Sequence, residues 1–318
     1  MSHFDFEISE DNFRVVTLKA ADQNNKNVIK IAPGLGNNMF KYQYNDLDLI
    51  YYDPDLPLDH FLNGNPIIYP LPNRVNNCHY EFKGKKYWQE KNSKPIFLHS
   101  LVYDEKWSYK EPEILADHIK LETFIYIDKD HPVYQGFPFE HQLKIIYKLF
   151  NNKLRLKYEV NNKDSKELPY GICFHTYFNY LKQRANSYIK APAETYMELD
   201  ADQIPTGKLL GVEETDYDFN DYRSLKDINI DGAITELQDK PKIKFEDKLI
   251  IEFDYSKEFS HIQFYTPLNK KFFCLEMQTC SADAHNLDAA GFKKAAHLLT
   301  VKPNEKSSGW LDYKPKLC

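Results

Sequence analysis

An all-β, antiparallel fold is what this 318-residue chain predicts, and three observations predict it. Aromatic residues reach 15%, with 23 Tyr and 21 Phe against only 11 Gly, and aromatic side chains suit half-buried pleated surfaces. Short runs that alternate apolar with polar residues recur along the whole chain. Helical periodicity is sparse beside them. Many closely spaced strands with few helices point to an antiparallel sandwich or a large barrel.

Taken in order, residues 13–18 and 28–31 read as strands separated by a polar turn around Asn24 and Asn25. Residues 119–127 form the next strand. The clearest hairpin follows: 143–150 and 153–160 flank Asn151 and Asn152, a pair that tolerates the positive φ a tight turn needs. In its second strand Leu154, Leu156, Tyr158 and Val160 share one face while Lys153, Arg155, Lys157 and Glu159 share the other. Asn161 and Asn162 open another turn. Residues 249–253, 261–265, 272–277 and 297–301 complete the strands, with short helical turns expected near 104–117 and 281–295. Residues 53–59 read as an acidic surface loop. Neither a repeat nor a low-complexity linker divides the chain, so residues 1–318 are expected to form a single domain.

Composition narrows the function. With 42% hydrophobic residues, a chain of this length can bury roughly three quarters of its unfolded surface without disulfides or metal. A net charge of −6 argues against a nucleic-acid partner. No apolar run approaches the ~18 residues of a membrane span. Without a basic segment followed by an apolar one at the N-terminus, no signal peptide is expected. Five dispersed cysteines (78, 173, 274, 280 and 318) read as reduced thiols, so the cytoplasm is the expected compartment.

Several familiar chemistries lack their residues. Gly34 and Gly36 follow a strand, but Met39 stands where a dinucleotide fingerprint needs its third glycine, so a tight strand-exit turn is the better reading. Phosphate-loop, nucleophile-elbow and zincin motifs are absent, and the 11 histidines show no close metal-ligand spacing. Asp283 and His285 could be read as a ligand pair, but a loop turn or helix cap explains them at least as well.

Polar groups concentrate in four strand-like segments. Asn73 and Arg74 follow a proline-stiffened stretch and offer amide and guanidinium donors suited to hydroxyl oxygens. His99 follows apolar residues, with Trp107 close behind. In residues 169–179 the period of two puts Cys173, His175, Tyr177 and Asn179 on one face. In residues 272–280 it puts Cys274, Glu276 and Gln278 together, and a glutamate on such an apolar strand must be paired or used. Taken singly, Arg74 reads as a salt-bridge arginine and His99 as a core histidine, while Glu276 reads equally as a salt-bridged strand residue or a functional one.

Together these segments resemble the aldose 1-epimerase family. The resemblance rests on Asn73 and Arg74, Leu98 and His99 followed by Trp107, and Gly171 leading to His175, Thr176, Tyr177, Phe178 and Asn179. It continues through Asp231 and Gly232, then Gln263 to Thr266, then Leu275 to Gln278 running into residues 283–286, in the family's order. Ser100, Thr176 and Pro267 depart from residues common in the family, yet they flank the functional positions without replacing them.

The resemblance implies an antiparallel supersandwich and a cofactor-free, metal-free isomerase that opens and recloses a free aldose to exchange its anomers. It implies Glu276 as catalytic base and His175 as acid toward the ring oxygen, roles suited to a carboxyl raised by burial and an imidazole. It assigns Asn73, Arg74, His99, Tyr177, Asp231 and Gln263 to sugar binding, with Trp107 either a wall of the sugar site or a core indole. A small-molecule aldose is the expected partner, and a monomer or weak homodimer the expected state. A hexose 6-phosphate epimerase would want several arginines near the cleft, whereas the chain has only five (14, 74, 155, 184 and 223). A non-catalytic sugar binder of the same fold would need no acid/base pair. A glycosidase would need two carboxylates flanking the bond, for which only Asp231 could be recruited.

Overall fold

The structure is a computed structural model that describes residues 2–11, 13–53, 55, 63–89, 96–99, 101–246 and 248–318. It is an antiparallel supersandwich. A ten-stranded sheet runs from Ser108–Tyr109 through Ile119–Ile127, His141–Leu149 and Leu154–Asn162 to the closing strand Lys306–Leu317. It continues through Leu249–Tyr255, Lys242–Phe245 and Ser187–Lys190 to Arg223–Ser224. An eight-stranded sheet orders Pro205–Gly211, Ala193–Leu199, Asp231–Leu237, His261–Tyr265, Phe272–Gln278, Cys173–Phe174 and Ile67–Ile68, with Tyr177–Asn179 also on Phe272–Gln278. The N-terminal strands form a separate five-stranded sheet.

The core lies between sheets. Phe178 of the eight-stranded sheet meets Phe253 and Tyr313 of the ten-stranded one at ring separations of 5.9 and 6.5 Å. The Thr176 and Tyr313 hydroxyls close a buried 2.8 Å hydrogen bond across the same gap. Alternation then turns the next residues outward: with Phe174, Thr176 and Phe178 facing the core, His175 and Tyr177 face the opposite side. The same holds along Phe272–Gln278, every residue of which is buried. One face therefore holds the sandwich together, and the other floors the cleft.

The expected hairpin forms as read, with the Phe150 amide donating to the Lys153 carbonyl across Asn151 and Asn152 at 2.9 Å. Gly36 makes the strand-exit turn at φ +59°, where a Cβ would lie 1.6 Å from the Tyr103 carbonyl oxygen. Three expectations need correction. The strand expected at 13–18 begins at Val16, because Arg14 adopts φ 52° and breaks the extended backbone. Residues 104–117 are not helical: Ser108–Tyr109 and Glu113–Ile114 instead pair with the edge of Ile119–Ile127. The strand expected at 297–301 starts at Leu299, since the short helix Lys293–Ala296 ends in His297 at φ 47°.

The helix Pro132–Gly136 was not expected. His131 caps it by accepting from the Val133 amide, and Pro132 supplies a helical φ in its first turn. The helices Ala284–Ala289 and Lys293–Ala296 fall where a helical turn was expected. Most of the loop 53–59 lies outside the described residues. No helix among those described is long and apolar enough to cross a membrane.

Candidate active site

The strand Phe272–Gln278 sets the geometry. It places Glu276 directly opposite Gln263 on His261–Tyr265, and Cys274 opposite Tyr177. The next strand outward brings Asp231 beside Tyr265. A two-stranded ribbon, Arg74–Asn76 with Ile96–Leu98, hangs over this floor. Its ends carry Asn73 and His99, both in the left-handed region (φ 62° and 56°) and joined by the His99 amide donating to the Asn73 carbonyl at 3.0 Å. Such backbone conformations in non-glycine residues cost about 1–3 kcal/mol and gather at functional sites.

All eight residues singled out in the sequence line one cavity of about 240 Å³: Asn73, Arg74, His99, His175, Tyr177, Asp231, Gln263 and Glu276. Leu98 and Tyr265 complete its described lining. Trp107 does not line it. That indole is 5% exposed and donates to the Val102 carbonyl at 3.4 Å, so of its two expected roles it fills the core one. Asn179 is structural too, its amide donating to the Asp48 and Ile50 carbonyls.

At the floor, His175 Nε2 lies 3.3 Å from Glu276 Oε1. The other carboxylate oxygen is tied down: Oε2 accepts from the Gln278 amide at 3.3 Å and the Cys173 thiol at 3.6 Å. One oxygen is anchored and the other turned to the imidazole and the cavity. The His175 ring stacks on Tyr177 (4.7 Å, 15°) and meets His99 edge-on at 5.1 Å. On the far wall Asp231 accepts from Arg74 at 3.0 Å and from Gln263 at 2.8 Å. Behind it Arg184 donates to the carbonyls of Leu225, Ile228, Thr266 and Pro267, fixing the loop that leads into Asp231.

Burial dominates the electrostatics. It raises the Glu276 carboxyl well above the ordinary carboxylate range, helped by the Asp231 charge and opposed by Cys173, Gln278 and Arg74. It lowers the His175 ring to about 3. His99 is pushed well below its usual value by burial and then by His175 and Arg74. A carboxyl held up and an imidazole held down, in contact, share one proton between them across neutral pH.

Sequence reasoning gave Cys173 and Gln278 no part, although each stands two residues from a predicted catalytic position and so on the same face. Nor did it single out Leu98 or Tyr265 as cavity lining. The structure also shows donor atoms of His175, Cys274 and Glu276 all within 4.8 Å of one another, a grouping that spacing along the chain did not reveal.

A supersandwich whose outward sheet face floors a polar cleft over an ionisable pair is the class of protein that this fold and site define. The chain belongs to the aldose 1-epimerase family, whose sequence model matches residues 22–314. Among similar proteins are an uncharacterised protein, YihR, of Escherichia coli K12 (25% identical, covering 71% of this chain and 70% of that protein) and the galactose mutarotase of Pongo abelii (27%, 55% and 53%). An aldose 1-epimerase of Streptococcus thermophilus is 28% identical over 49% of this chain and 40% of its own length. The match thus spans about half the length of the galactose mutarotase. A galactose mutarotase-like protein from Clostridium acetobutylicum has the same fold, with a TM-score of 0.87, 19% identity and 99% coverage of both chains.

Proposed function

We infer that this protein is an aldose 1-epimerase that interconverts the α and β anomers of a free hexose, working as a single-domain enzyme without a cofactor. The observation that carries the reading is the Glu276–His175 contact at 3.3 Å, at the floor of a cavity lined largely by polar side chains. The reaction needs a base for the proton on the C1 hydroxyl and an acid for the ring oxygen. Burial favours the shared proton on Glu276; the reactive form carries it on the imidazole, and there Glu276 is that base and His175 that acid. Ring opening moves the hydroxyl proton to Glu276 and the imidazole proton to the ring oxygen. After rotation about C1–C2 the same two transfers run backward onto the other carbonyl face. No net proton is consumed, so the pair is reset after each turnover.

The anchored Oε2 keeps Oε1 aimed at the cavity while protons move. Arg74, Asn73, Asp231, Gln263, Tyr177 and His99 are the proposed sugar-binding groups, and charge-assisted hydrogen bonds from the Arg74–Asp231 pair suit vicinal hydroxyls. Among the described lining residues Arg74 is the only permanent cation, and Asp231 already pairs with it. That favours a neutral sugar over a phosphorylated one. Saturation is therefore expected with glucose or galactose at concentrations where their 6-phosphates do not saturate.

The decisive test is Glu276→Gln, which keeps the shape and removes the basicity. Catalysed anomer exchange, followed by polarimetry or NMR exchange, is expected to fall by about 10²–10⁴-fold. Exchange at the wild-type rate in that variant refutes the assignment.

A further inference from the structure

Cys274 has no part in proton transfer, yet its sulfur lies close to the reacting pair. It is wholly buried on the same strand face as Glu276, two residues away, and its sulfur, a His175 ring nitrogen and a Glu276 oxygen lie within 4.8 Å of one another. From these positions we propose that His175, Cys274 and Glu276 form an inhibitory site for a borderline-soft divalent cation of the zinc type, entered through the sugar cavity. The proposal rests on the same pair as the epimerase reading and adds its regulation by metal.

The donor set selects the ion. One thiolate, one imidazole and one carboxylate is a zinc-type combination, whereas calcium and magnesium take oxygen donors. Zinc binds sulfur at ~2.3 Å and nitrogen or oxygen at ~2.0–2.2 Å, so side-chain shifts of about 1 Å bring the three donors onto one ion. Glu276 and His175 already face the cavity, which supplies an entry path and leaves the open coordination position toward it. Binding expels the Cys274 thiol proton, together with the proton held by the pair, to solvent. Metal and sugar then compete, because the ion takes the base lone pair and the imidazole nitrogen that ring opening requires.

The test uses the full-length protein, reduced and stripped with EDTA. Cobalt(II) reports binding through its thiolate charge-transfer absorption, and zinc is then added to displace it. The wild type and Cys280→Ala, whose thiol is buried outside the cavity, are expected to show one equivalent of the band; Cys274→Ala is expected to lose it. Zinc is expected to slow anomer exchange competitively with sugar and EDTA to restore it. The inhibition constant should rise at least about tenfold in Cys274→Ala, scored against that variant's own rate in EDTA. A band that survives in Cys274→Ala, no band in the wild type, or loss only in Cys173→Ala overturns the site. The absorption does not depend on turnover. A Cys274-dependent band in a protein that never accelerates exchange therefore supports the metal site while refuting the epimerase reading.

Discussion

Lowering the pH from neutral to about 5 tests three imidazoles outside the cavity, His141, His261 and His285. All three are buried, and burial lowers their rings to about 4, about 3 and about 3. His141 sits among the rings of Tyr69 and Phe137, and His285 against Tyr80. The folded protein keeps them neutral while the unfolded chain protonates near the ordinary histidine value of ~6.5. Their contribution to stability is therefore complete above ~6.5 and is lost as the pH falls. At pH 5 the unfolded state gains about 1.5 units of proton affinity per ring, or about 2 kcal/mol each at 1.36 kcal/mol per unit.

Asp283 acts in the opposite direction. Burial raises its carboxyl to about 6, so acidification returns about 1.4 kcal/mol. The net loss between neutrality and pH 5 is about 4–5 kcal/mol, a large share of a typical total of about 5–15. Urea denaturation at the two pH values measures the difference. In His141→Gln that difference should shrink by about 2 kcal/mol, whatever the variant's stability at neutral pH. Equal stability at both pH values, or an undiminished difference in the variant, refutes the reasoning.

Two charge changes at the far wall should move the alkaline limb of kcat/KM, where the Glu276–His175 pair loses its proton, in opposite directions. Asp231→Asn removes a charge that raises Glu276 and should shift the limb to lower pH; Arg74→Met removes a cation that lowers it and should shift the limb to higher pH. A shared direction in pH–rate profiles would contradict the electrostatic account. Away from the cavity, Asp312 is buried and takes hydrogen bonds from Arg155 at 2.6 and 2.9 Å, with Lys153 at 3.3 Å. Arg155→Met should cost about 3 kcal/mol in denaturation measurements, and adding Asp312→Asn should recover most of it.

Legibility in the sequence followed the range of the interaction. The 151–152 hairpin, the 261–265 strand and the shared faces of Cys173, His175 and Tyr177 were readable because turn chemistry and a period of two are local. The break at Arg14 and the short strands inside 104–117 were not. The first is a single left-handed residue, and the second depends on an unpaired sheet edge contributed by residues 119–127.

By itself the sequence determined which residues could meet: the family resemblance named the eight groups that line the cavity, and side-chain alternation along the strands gave His175, Tyr177 and Glu276 their faces. Only the tertiary structure decided how they meet. It set Glu276 against Gln263 and His175 against Glu276, joined Arg74 to an aspartate 157 positions away, and brought Cys274 close to the pair. Those distances follow from sheet order and register, which are fixed by packing among strands remote in the chain and leave no trace in the spacing of any one strand.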